Sequence, residues 1–266
     1  MVALRFVVER SGEAHPRHLR ALVTSLLEDG LDVHQHRSNV KPFTVHPPVA
    51  TGDGFALLVS VLDEGTLQRL MRTCERTART GRRFGQMRVR LARATPDVLR
   101  SDRFETVLTR AAVDAEVVVQ LRSPMVFRTG RKRTLAEPVP SQVFGHYRAR
   151  WNHFAPPEVV CNLAFDDLGL EHEVLEGRRV PYRDAHRRDD QLVELQFDGF
   201  VGTVLYKATG PGATVQARRW LHALARFGEY CGTGANTTIG MGATRYLGAG
   251  TPHVVPDCRS DEKKVS

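Results

Sequence analysis

The chain has 266 residues, of which 38 are basic and 30 acidic, so its formal net charge is +8 at pH 7. Hydrophobic residues make up 41% of the sequence, which is enough to fill folded cores and excludes a disordered or collagen-like protein. No run of 18 apolar residues occurs, so we expect no membrane span, and the N-terminus does not resemble a signal peptide. The four cysteines lack paired spacing and predict reduced thiols in a cytoplasmic protein.

Hydrophobic patterns in the first hundred residues predict one folded unit. In chain order, the predicted elements are a strand over 2–9, a helix between Pro16 and Gly30, strands over 40–45 and 55–62, a helix from Leu67 to Gly81, and a strand over 87–91. This β-α-β-β-α-β order is that of a ferredoxin-like fold.

The second half repeats the same order. Its predicted elements are a strand over 116–121, a helix over 143–154, two strands flanking a two-residue hairpin at Asp198-Gly199, a helix over about 214–229, and a strand over 240–247. Residues 162–190 are interpreted as a long charged insertion. The sequence therefore predicts an α+β protein with two tandem ferredoxin-like (βαββαβ) domains, over 1–110 and 111–248, and a flexible tail over 249–266.

The strongest local signal is the glycine-rich run GTGANTTIGMG over 232–242, here called the glycine loop. Glycine permits positive φ and close backbone approach, so such a loop can direct several N–H groups at phosphate oxygens. A dinucleotide-binding loop is excluded because that fingerprint runs from a strand into a helix, whereas this run leads from a helix into a strand. A flexible connection between two elements is the structural alternative.

A second signal is the histidine–lysine segment over 32–48, which contains His34, His36, Lys41 and His46. The pKa of a histidine lies nearest neutrality, so a histidine can accept and return a proton, while a lysine can stabilise charge on a phosphate. Two alternatives remain, namely a metal site that begins at His34 and His36, and an ordinary solvated loop.

A third signal is the basic segment over 122–133. We expect Phe127 in this segment to stack on a nucleic-acid base while the neighbouring cations hold phosphates. The alternative is a solvated charged face. The cations of the segment are Arg122, Arg128, Arg131, Lys132 and Arg133.

These motifs together resemble one family, the CRISPR-associated endoribonucleases of the repeat-associated mysterious protein superfamily, which cut precursor CRISPR RNA within each repeat. The resemblance covers about residues 1–247 and rests on His34 before Lys41-Pro-Phe-Thr, the Ser123-Pro-Met-Val-Phe run and the glycine loop. It implies metal-independent hydrolase chemistry in antiviral defence, in which a ribose 2′-hydroxyl attacks the adjacent phosphate to leave a 2′,3′-cyclic phosphate and a 5′-hydroxyl. It implies no cofactor.

The resemblance also implies roles for individual residues. His34 is the favoured acid–base residue, and His36 is a competitor or partner. The family's tyrosine is missing from 11–30, so His18, ahead of His15, is its candidate substitute, while His46 is interpreted as structural. The candidate catalytic residues are therefore His34, His36, Lys41 and His18. The candidate RNA-binding residues are Arg128, Arg131, Lys132, Arg133, Gly232, Gly234, Asn236, Thr237, Thr238, Gly240 and Gly242.

Two other functions stay open at the level of sequence. One is a non-catalytic RNA-binding subunit of a CRISPR effector complex, and the other is a metal-dependent enzyme built on His34, His36 and His46. The expected partners are the precursor CRISPR RNA repeat and a CRISPR effector complex, for a monomer or homodimer that does not contact membranes.

Overall fold

The computed structural model describes residues 1–11, 22, 25–27, 40–52, 54–84, 87–130, 134–188 and 191–250. Two antiparallel sheets, one in each half of the chain, account for most of the strands in this part of the protein. In the same residues, no helix combines the length and the apolar character needed to cross a membrane.

The N-terminal half forms a seven-stranded sheet with the central order β2-β4-β1-β6-β5. Strand β3 pairs with β4, and β7 pairs with β1. The described residues between β1 and β2, which are Leu22 and Ser25–Leu27, are helical. The elements are β1 (Val2–Ser11), β2 (Phe43–Val45), β3 (Val49–Thr51), β4 (Gly54–Val61), α1 (Glu64–Thr80), β5 (Arg82–Phe84), β6 (Met87–Leu91), β7 (Asp97–Ser101) and α2 (Phe104–Thr109).

Local sequence explains the central elements of this half. On β1, Leu4 and Phe6 are buried and Arg5 is exposed, as strand alternation requires. The side chain of Asp63 caps α1 by accepting a hydrogen bond from the Thr66 N–H at 2.8 Å, and the helix ends where Gly81 takes a positive φ of 64°.

The C-terminal half forms a four-stranded sheet with the order β11-β12-β8-β13. Its main elements follow the β-α-β-β-α-β order, so the predicted α+β class and tandem ferredoxin-like folds are confirmed. The elements are β8 (Glu116–Met125), β9 (Phe127–Arg128), β10 (Thr134–Leu135), α3 (Pro140–Phe154), β11 (Leu170–Arg188), β12 (Gln191–Ala208), α4 (Val215–Cys231) and β13 (Thr244–Gly248).

The predicted hairpin at Asp198-Gly199 is wrong. Strand β12 runs straight through these two residues, and Gly199 pairs with Val180 of β11, a strand that occupies much of the predicted charged insertion. A Cβ on Gly199 would lie 2.6 Å from the Cβ of Pro124 on β8. The glycine therefore marks a close approach between strands and not a turn.

The predicted base-stacking role of Phe127 is also wrong. Residues 122–125 belong to β8, and the Phe127 side chain is 6% exposed within the C-terminal hydrophobic core. The adjacent Arg128 is exposed, because successive residues of a strand point to opposite faces. Strand alternation alone therefore explains why an exposed arginine follows a buried aromatic residue here.

Polar contacts and packing join the two halves. The Tyr230 hydroxyl on α4 donates to the Asp102 carboxylate at 2.7 Å, and Arg100 forms an ion pair with Glu229. Phe104 at the start of α2 meets Trp151 of α3 edge to face, with ring centroids 4.9 Å apart. These contacts fix where the N-terminal sheet lies relative to the glycine loop.

Candidate functional site

Lys41 lies two residues before β2, which is at the edge of the N-terminal sheet. The Pro42 carbonyl accepts a hydrogen bond from the Leu62 N–H at 2.8 Å, and the next residue, Phe43, is buried in the core. Since the two residues that follow Lys41 are anchored, its backbone has a defined position, and its side chain is partly exposed.

The three candidate catalytic histidines, His34, His36 and His18, lie outside the described residues. His46, which follows β2, is described. Its backbone N–H donates to the Leu58 carbonyl at 2.9 Å, and the Nε2 atom of its ring lies 3.5 Å from the Ser60 hydroxyl. Burial lowers the pKa of His46 to about 4, and the nearby Arg122 guanidinium contributes to this shift. His46 is therefore neutral at pH 7.

Hydrogen bonds to residues 124–126, at the end of β8 and just after it, hold the glycine loop in one conformation. The Gly242 N–H donates to the Pro124 carbonyl at 2.9 Å, and the Ala235 N–H donates to the Val126 carbonyl at 2.7 Å. The backbone comes so close to Val126 that a Cβ on Gly234, whose φ is 83°, would lie 2.3 Å from the Val126 oxygen. The loop is thus a built part of the fold and not a loose connection.

A chain of hydrogen-bonded, buried hydroxyl groups connects α3 to the glycine loop. The Tyr147 hydroxyl on α3 lies 2.5 Å from the Thr233 hydroxyl, which lies 2.6 Å from the Thr244 hydroxyl. The Thr244 hydroxyl donates to the Gly242 carbonyl at 2.8 Å. Burial raises the pKa of Tyr147, so its phenol stays protonated and remains a partner in this chain.

The short 3-10 helix of the loop begins with backbone N–H groups that are not paired with a backbone carbonyl among the described residues, those of Asn236, Thr237 and Thr238. The Asn236 side-chain oxygen accepts a hydrogen bond from Arg128 at 3.0 Å, which brings this predicted cation to the loop. The other predicted cations, Arg131, Lys132 and Arg133, lie outside the described residues.

The fold brings the glycine loop to the histidine–lysine segment, although the two motifs are far apart in the sequence. The short 3-10 helix Thr237–Ile239 of the loop contacts β2. A Cβ on Gly240 would lie 3.8 Å from the Cα of Pro47. The Arg150 guanidinium on α3 donates to the Lys41 carbonyl at 2.6 Å. Lys41 and the glycine loop therefore lie in one region between the two halves.

Sequence reasoning missed two polar residues of α3 at this junction. His146 and Arg150 are four residues apart on a helix that was predicted from its apolar positions only. Burial lowers the pKa of His146 to about 3, and its ring interacts with the backbone of Gly232, where the glycine loop begins. The signal available in the sequence was the four-residue spacing of these two polar residues, which places them on one face of the helix, beside its apolar stripe.

Clusters of three or more histidine, cysteine, aspartate or glutamate side chains that could hold a metal ion do not occur among the described residues. Cys74, Cys161 and Cys231 are free buried thiols in this part of the chain. Burial raises the pKa of Cys231 to about 12, which keeps it protonated and unreactive.

Residues 119–244 match the model of one protein family, described as CRISPR-associated endoribonuclease Cas6. No curated protein sequence matches the chain significantly.

Solved Cas6 structures resemble the chain over most of its length. The Cas6 protein designated TTHA0078, in a product complex, is 27% identical, with a TM-score of 0.70 and an alignment that covers 92% of this chain and 98% of that one. Its complex with a substrate mimic is 25% identical, with a TM-score of 0.66 and the same coverage. A product complex of Cas6 (TTHB231), a Thermus thermophilus protein, is 20% identical, has a TM-score of 0.69, and shows the same fold over 92% of this chain and 99% of that chain.

Proposed function

We propose that the chain, whose residues 119–244 match the Cas6 family model, is a CRISPR-associated endoribonuclease that cuts precursor CRISPR RNA within the repeat by attack of a ribose 2′-hydroxyl on the adjacent phosphate. The product and substrate-mimic complexes of TTHA0078 support RNA as the substrate. The products would carry a 2′,3′-cyclic phosphate and a 5′-hydroxyl.

The observation that carries this proposal is the contact between the glycine loop and β2. The N–H groups of Asn236, Thr237 and Thr238, which have no backbone partner in the described structure, suit phosphate oxygens, and β2 begins two residues after Lys41. A strand of RNA lying along the loop would thus pass the segment that carries Lys41, His34 and His36.

The proposed reaction needs one base, one acid and a group that stabilises negative charge. His34, or His36 in its place, removes the proton from the 2′-hydroxyl as the 2′-oxygen bonds to phosphorus and the bond from phosphorus to the 5′-oxygen breaks. A second group, for which His18 is the candidate, returns a proton to the leaving 5′-oxygen. Lys41 stabilises the charge that develops on the phosphate oxygens.

A cleavage assay in chelator tests this function. Purified protein and repeat RNA are incubated with EDTA and, separately, with Mg²⁺, and the product ends are analysed. We expect equal cleavage rates and a 2′,3′-cyclic phosphate, because the nucleophile is part of the substrate and proton transfer needs no metal. Cleavage that disappears in EDTA and returns with metal would reject this mechanism. Tight binding without cleavage in either buffer would indicate an RNA-binding subunit.

Arg128, Arg131 and Arg133 are expected to hold RNA phosphates together with the glycine loop. In the Arg128→Gln, Arg131→Gln, Arg133→Gln variant, each lost phosphate contact should flatten the slope of log K against log salt concentration by about 0.7–0.9. Affinity measured at several salt concentrations gives this slope. The control is a variant with the same charge change on the exposed face of α1, Arg72→Gln, Arg76→Gln, Arg79→Gln. Equal slopes for wild type and the first variant would remove these arginines from the RNA site.

A further inference from the structure

Arg150 is a buried cation that joins the two halves next to the candidate catalytic segment. It lies in the last turns of α3, and its side chain is 8% exposed. Its guanidinium donates to the Lys41 carbonyl at 2.6 Å, contacts the Cys231 side chain, and lies 5.9 Å from the centre of the Phe154 ring. The bond to Lys41 spans 109 positions of the sequence.

Burying this charge is costly to the fold. Burial lowers the pKa of Arg150, and its Nε has no hydrogen-bond partner among the described residues. No carboxylate pairs with Arg150 among the ion pairs of the described chain. An apolar side chain of similar volume would usually be at least as stable in such a place. The contact with the Lys41 carbonyl is therefore the feature that a guanidinium supplies here and an apolar residue would lose.

The same helix also holds the glycine loop. Tyr147 contacts the Thr233 hydroxyl, and the His146 ring interacts with the Gly232 backbone, both at the start of that loop. Three polar residues, which lie within about one and a half turns of α3, thus contact both functional segments. One of these segments belongs to the N-terminal half of the chain and the other to the C-terminal half. Helix α3 sets the distance between them.

We propose that Arg150 is a positioning residue for cleavage, which holds the backbone of Lys41 at a fixed place relative to the RNA bound on the glycine loop. This inference rests on the proposed function for its effect on rate, while the anchoring itself is a property of the protein without RNA. A displacement of a catalytic group by about 1 Å can cost on the order of 100-fold in rate, whereas the phosphate contacts that give affinity lie elsewhere.

The test compares Arg150→Met with a matched control on the same helix, Arg148→Met. Arg148 also donates to a backbone carbonyl, that of Leu163 at 2.5 Å, and its guanidinium lies 4.9 Å from the Phe165 ring, but it does not contact the histidine–lysine segment in the described structure. For each variant, hydrogen exchange of residues 40–46 is measured in the protein alone. Single-turnover cleavage of repeat RNA, RNA affinity and the melting temperature are then measured.

We expect Arg150→Met to exchange faster over 40–46 and to cut about 10- to 100-fold more slowly, with unchanged RNA affinity. Arg150→Lys, which keeps a charge and a donor, should recover part of the rate, and Arg148→Met should match wild type in exchange and rate. Unchanged exchange over 40–46 in a folded Arg150→Met protein would overturn the proposal, as would an unchanged rate. If hydrogen exchange over 40–46 is faster in Arg150→Met but the wild-type protein cuts no repeat RNA, the anchoring role of Arg150 is supported and the proposed function is rejected.

Discussion

A repeat RNA that lacks the 2′-hydroxyl on the ribose just upstream of the scissile phosphate is expected to bind with near-normal affinity and to remain uncut. The single missing oxygen is the nucleophile of the proposed reaction, so no product can form by this route. Affinity depends mainly on phosphate contacts, which the substitution leaves in place. Denaturing gels of the cleavage products and a binding titration measure the two quantities.

The control substrate carries the same 2′-deoxy substitution one nucleotide further upstream, where the oxygen has no role in bond breaking. It should be cut at close to the normal rate. Cleavage of the first substrate at its usual site would show that water or another group is the nucleophile, and the roles proposed for the histidines would then have to be revised.

The His34→Ala variant is expected to lose about 10²–10⁴-fold in single-turnover cleavage rate while it still binds repeat RNA. The alanine removes the proposed proton acceptor, but it does not remove the cations of the basic segment or the N–H groups of the glycine loop. Rate and affinity are measured on the same protein preparation, with a melting curve to confirm that it is folded.

The His36→Ala variant is the matched comparison, since it removes an imidazole two residues away. A normal rate for His34→Ala together with a slow His36→Ala would transfer the role of base to His36. Normal rates for both single variants and for the double variant would show that this segment does not perform the proton transfers.

Most of the fold could be predicted from hydrophobic periodicity. The strands at 2–9, 55–62 and 87–91 and the helices that end near Gly81 and Cys231 were predicted within a few residues, because their apolar residues recur at strand or helix spacing or, over 55–62, form one continuous buried run. The hairpin at Asp198-Gly199 failed for a physical reason. The same residue pair suits a tight turn and also suits a strand that passes close to Pro124, and only the packing of β12 on β8 decides between them.

The candidate site could be predicted only as separate motifs. The histidine–lysine segment and the glycine loop each have a local signature, but nothing in the sequence indicates that they lie close together in the fold. Arg150 and His146 were missed because their function depends on contacts with backbone groups of Lys41 and Gly232, and backbone groups leave no pattern in a sequence. Phe127 was misassigned because its basic neighbours are exposed while its own ring is buried.

Two histidines with lowered pKa values affect how any measurement against pH should be interpreted. The pKa values of His46 and His146 are lowered to about 4 and about 3, below the ordinary 6.5, so both rings stay uncharged from pH 5 to 8. A titration of the cleavage rate in that interval therefore reports on other groups. Below pH 6.5 the unfolded chain binds protons that the native protein excludes, so acid lowers the free energy of unfolding, down to about pH 4 through His46 and to about pH 3 through His146. Loss of activity in acid thus combines catalytic protonation with a growing unfolded fraction, and only denaturation curves recorded at each pH can separate the two.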